Sequence, residues 1–202
     1  MKSRTVVVTA VLACGAIGLT AAAQQAAPRP AQAPASGSMP GMSMPMKSDA
    51  DLIKSALAAA PPAIADGATV VTMDDKMQMK TLKKGTNGWT CMPDMPSSPG
   101  TDPMCLDANG MAWAEAWMSH KDPPADKMGI GYMLMGGSDA SNADPFATKP
   151  AANGRWVDTG PHIMVLNIGT KFAGYPTTAG NTKAPYVMFP NTPYAHLMIP
   201  VK

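Results

Sequence analysis

From residue 129 to 201 the chain is cut by Gly, Pro and Asn clusters into four short apolar segments, GIGYMLM, HIMVLNI, PYVMF and AHLMIPV. Apolar runs this short, each bounded by turn formers, are read as strands rather than helices. Upstream, ATVVTM and KMQMKTL flank the turn-like DDK and predict a hairpin. Helical periodicity is confined to two stretches. SDADLIKSALAAAPP opens on the cap-type residues Ser48 and Asp49, places Leu52, Ile53, Ala56 and Leu57 on one face and stops at Pro61-Pro62. DANGMAWAEAWMSHKDPP offers Asp107 or Asn109 as its cap, aligns Met111, Ala114, Trp117 and Met118, and stops at Pro123-Pro124. So little helix cannot connect strands into a parallel βαβ series. The expected fold class is α+β: a single loop-rich domain on a mainly antiparallel sheet with two or more helices.

Ahead of that domain lie two segments of different character. Lys2 and Arg4 precede an apolar run from Thr5 to Thr20, and small Ala21 and Ala23 stand before Gln24, which is the layout of a signal peptide over residues 1–23. The run is shorter than the roughly 18 residues of a membrane span, so no transmembrane span is expected in the mature chain. The expected location is periplasmic or secreted. An alternative is lipid anchoring through Cys14, although Leu12 is bulky for such a site and apolar sequence continues beyond Cys14. Residues 24–47 are dense in Pro, Ala, Gly and Ser and are read as a disordered Met/Pro/Ala-rich linker, with residues 48–202 as the globular domain.

Without Lys2 and Arg4, the 16 basic residues fall to 14, level with the 14 acidic ones. A neutral chain whose remaining arginines are Arg29 and Arg155 lacks the basic stripe required for nucleic acid or an anionic membrane. Export also leaves Cys91 and Cys105 as an even pair in an oxidising compartment. The expectation is a disulfide, worth about 3 kcal/mol by loop entropy. A thiolate metal site has neither CxxC spacing nor a histidine between the two cysteines to support it.

Two features could carry chemistry. Residues 39–46, MPGMSMPM, place Met39, Met42 and Met44 at MxxM and MxM spacing, which suits a soft cation such as Cu(I); the other reading is a tether of biased composition. Nearer the C-terminus, PHIMV and AHLMI repeat His, an aliphatic residue and Met within predicted strands. Alternation puts His162 and Met164 on one side of their strand, and His196 and Met198 on one side of theirs. Paired in the right register, these imidazoles and thioethers would share a sheet face as a copper-type ligand set, which Met133 and Met135 could extend. The competing reading is a set of hydrogen-bonded core histidines with methionine packed beneath them.

Catalytic patterns are thin. There is no GxSxG elbow, HExxH, Walker loop or CxxC, and Asp139, Ser141 and Ala143 do not alternate as calcium ligands do. Glu115 lies two residues from both Trp113 and Trp117, on the other side of its helix, and is expected in solvent. Asp158, four residues before His162, could orient that imidazole in a small extracytoplasmic hydrolase, but no nucleophile stands at a defined spacing. A third alternative is a non-catalytic envelope interaction module.

Taken together, GTNGWTC, DPMCLD, SNADPFAT, TGPHIM and PYAHLMIPV resemble a family of bacterial exported proteins of uncharacterised activity, over roughly Ala68 to Val201. The resemblance implies export and a disulfide, and places His162 and His196 in the shared core. It implies no activity or cofactor, and the methionine tail lies outside it.

Overall fold

A computed structural model describes residues 47–74, 78–169, 172 and 174–201. The segments read as signal peptide and linker, with Cys14 and the methionine tail, lie outside the described residues.

The domain opens with helix α1 (Asp49–Leu57) and a single turn α2 (Pro62–Ala65). Ser48 caps α1 in a reciprocal box: its hydroxyl accepts the Asp51 N–H, and the Asp51 carboxylate accepts the Ser48 N–H. Strands β1 (Thr69–Met73), β2 (Met79–Lys83), β3 (Thr90–Met92) and β4 (Met104–Leu106) follow. Helix α3 (Ala108–Met118) is capped by the Asp107 carboxylate, which accepts the Gly110 N–H. Then come β5 (Gly129–Met133), β6 (Gly137–Asp139), β7 (Val157–Thr159), β8 (His162–Leu166), β9 (Tyr186–Met188) and β10 (His196–Pro200).

Eight strands form one sheet in the order β2-β1-β3-β4-β5-β8-β10-β9, and β6 and β7 form a separate ribbon. Every neighbouring pair is antiparallel except β1 with β3. The fold is therefore α+β on a mainly antiparallel sheet, as the strand spacing predicts. Cys91 and Cys105 are bonded to each other.

The structure adds elements that the sequence reading lacks, α2, β3, β4, β6 and β7. The turn-rich stretch around the cysteines contains β3 and β4, so the disulfide joins paired strands at Cys91↔Cys105 rather than fastening a bare loop. The polar loop after β5 supplies β6, which pairs with β7. Helix α3 ends at Met118, before the prolines, and buries Trp113 and Ala114 while Met118 stays exposed.

Side-chain alternation divides the sheet into two faces. One carries Val70, Cys91, Cys105, Tyr132, Ile163 and Ile199 in a single cross-strand row. Helix α1 packs beside its disulfide end, with Ala56 and Ala59 fully buried against the cysteines. The opposite face carries Leu106, Gly131, Met164, Met198 and Tyr186 in the adjacent row, in the core that includes Trp113 of α3. Burial follows the same alternation along β5 and β8, where every second residue is sealed on the α3 side. At Gly131 a Cβ would stand 2.7 Å from Met164 Cε and 2.8 Å from Leu106 Cδ2, so any larger residue there would have to displace the ends of these two side chains.

Candidate functional site

The four donors singled out in the sequence share the α3 face. Strands β8 and β10 are neighbours, and their register sets Met198 opposite Met164. His162 is level with Pro200, four residues from His196, so the two histidines are offset by about 13 Å along the backbone. They share a face, with the methionine pair at the level between them. All four are buried: His162 0 %, Met198 1 %, His196 3 % and Met164 7 % exposed.

Both histidines are held in the same way. His162 Nδ1 lies 2.7 Å from the Gly160 carbonyl, and His196 Nδ1 lies 3.0 Å from the Tyr194 carbonyl, in each case two residues earlier. A carbonyl only accepts, so Nδ1 carries the proton and Nε2 holds the lone pair. At His162 that Nε2 is sealed from solvent and has no hydrogen-bond partner. Burial pushes both imidazoles below their ordinary pKa, His196 to about 4, with the charge of His162 adding to the effect there. Both imidazoles are neutral at neutral pH.

Around His196 the environment is aromatic. Trp113 and Phe189 meet it edge-on, with ring centroids at 5.3 Å and 5.4 Å. Phe189 sits at φ 53°, a left-handed conformation that is costly for a bulky residue, and its N–H donates to the Asn142 carbonyl at 2.7 Å. Such an outlier persists only where its surroundings fix it, and functional sites are a common place for it. Trp113 Nε1 is a second buried polar atom without a partner.

At the His162 end, Met133 is the cross-strand partner of the histidine and is also buried, whereas Met135, beyond the end of β5, is 50 % exposed. The β6–β7 ribbon closes over this end at Gly137, where a Cβ would lie 3.7 Å from Met133 Sδ and 3.5 Å from His162 Cε1. Met188, on the far side of β10, pairs directly with His196 and is 1 % exposed. The sequence reading placed PYVMF as a strand without attaching Met188 to the site, because nothing in the sequence states which strand β10 takes as its second neighbour.

The Asp158–His162 pair is not assembled. Asp158 accepts the Ser138 hydroxyl at 2.6 Å on the outer side of β7, while His162 is oriented by Gly160. Glu115 is exposed, as expected. Among the described residues no three of His, Cys, Asp and Glu gather as metal ligands, and no helix is long and apolar enough to cross a membrane. A site here depends on thioethers. No family model, curated protein or solved structure matches the chain.

Proposed function

We propose that the protein is an exported, periplasmic or secreted binder of a soft cation, copper in its reduced state first, through His162, Met164, His196 and Met198. The observation that carries this reading is the buried, unpartnered Nε2 of His162, on a ring already oriented through Nδ1, with Met133 across the strand pair. Metal-bound histidines characteristically donate their other N–H to a carbonyl or carboxylate, which fixes the tautomer. Leaving a buried acceptor unpaired costs about 1–3 kcal/mol, and a bound cation would supply the missing partner. Thioether and imidazole together favour a soft first-row ion over calcium or magnesium.

The Cys91–Cys105 disulfide and the N-terminal signal-type layout support an oxidising compartment. Fractionation of the producing cells tests the location. Copper(I) titration against a chromophoric chelator tests the binding. Met164→Leu with Met198→Leu keeps core volume and should weaken binding by tenfold or more; equal binding by His162→Ala with His196→Ala, in protein that retains its circular dichroism, would eliminate the site.

A further inference from the structure

The proposed site is larger than the two His-x-Met motifs, and its symmetry bears on how many ions it holds. In three successive positions on the α3 face stand Met133 beside His162, Met164 beside Met198, and His196 beside Met188. The six donors range from 0 % to 7 % exposed. This order is palindromic because two His-x-Met strands run antiparallel with their methionines in register, and the strand outside each of them contributes one more thioether. Each imidazole therefore has one thioether directly across its outer strand pair and another two residues along its own strand. Direct cross-strand neighbours have Cβ atoms about 5 Å apart, and same-face residues along a strand are about 7 Å apart. The backbones of the two histidines are about twice that distance apart along the strands.

Resting on the soft-cation reading, we propose that the array holds two monovalent soft ions: one at His162 with Met133 and Met164, the other at His196 with Met188 and Met198. One nitrogen and two sulfurs, all neutral, make each position suited to Cu(I) rather than to a divalent ion that would stay poorly compensated in a buried site. Two observations support the His162 position independently of the register. The Met133 sulfur and the His162 ring flank the same space beneath Gly137, and His162 Nε2 has no partner. Methionine is unbranched and flexible enough to swing its sulfur onto an ion without moving the backbone.

The test is native mass spectrometry of the full chain titrated with silver(I), a redox-inert soft probe. The parent would carry Met39→Leu, Met42→Leu, Met44→Leu and Met46→Leu so that the tail does not contribute. Two ions are expected on the parent, one on Met133→Leu, one on Met188→Leu, and at least tenfold weaker uptake of both by the double variant. X-ray absorption of the copper(I) form should show one nitrogen and two sulfurs per metal. A parent that takes up a single ion overturns the two-ion proposal while leaving the soft-cation reading in place. No ion at all overturns both, and two ions retained by the double variant overturn the assignment of Met133 and Met188.

Discussion

His196 stays neutral until the pH falls to about 4, whereas the same side chain in the unfolded chain takes up a proton near its ordinary value of 6.5. The unfolded state therefore binds more protons between those values. The stability that His196 contributes is complete above pH 6.5 and is lost as the pH falls to about 4, by about 3 kcal/mol in all. Asp139 acts in the opposite sense. Burial, with the nearby Asp102 carboxylate adding to it, raises Asp139 to about 7, so its contribution weakens as pH rises from 3.8 to that value. The wild-type profile should be the flatter for this opposition. In Asp139→Asn the relief on acidification is gone, and urea melts should show stability falling more steeply between pH 7.5 and 4.5 than in wild type. A parallel profile in the two proteins would show that Asp139 is not held protonated.

Strand β5 illustrates how an element serves the site by omission. Gly131 leaves the space over its strand that the Met164 side chain and Leu106 fill from either side. Gly131→Ala should cost about 1–3 kcal/mol by overpacking, measured as a shift in the urea midpoint at unchanged m-value. It should also displace the Met164 sulfur and weaken the His162 position more than the His196 position. At this scale much was legible in advance. Ser48 and Asp49 marked the first long helix and Asp107 or Asn109 the second, the β-branched run ATVV marked β1, and alternation put each His with its Met on one side of its strand. The three-residue strands β3, β4, β6 and β7 were not legible, because GTNGWTCM, DPMCLD, GGSD and WVDT offer too few positions for a period to show. Their partners lie across loops whose paths no local pattern specifies. For the same reason the sequence could put His162 with Met164, and His196 with Met198, on one side of each strand but could not set Met164 opposite Met198, fix Met133 and Met188 beside the imidazoles, or separate Asp158 from His162.

Across the whole molecule, the disulfide and the donor array occupy opposite faces of one continuous sheet. Cys105 pairs with Tyr132 and the adjoining Leu106 with Gly131, so the row that carries the cysteines and the row that carries Met164 run through the same strand pair. Removing the disulfide as Cys91→Ala with Cys105→Ala should cost about 3 kcal/mol through the unfolded chain, without altering how many soft ions the folded protein takes up. A ligand that binds only the folded state adds stability by mass action, about 2.7 kcal/mol at a free concentration one hundred times its dissociation constant. Silver(I) at that level, filling both positions, should therefore restore the melting temperature lost with the disulfide and more, even though it binds the other face. Because β4 and β5 carry both rows, the restored protein should melt in a single transition by fluorescence and circular dichroism alike. Two transitions, with only one moved by silver, would show that the disulfide half and the donor half unfold separately.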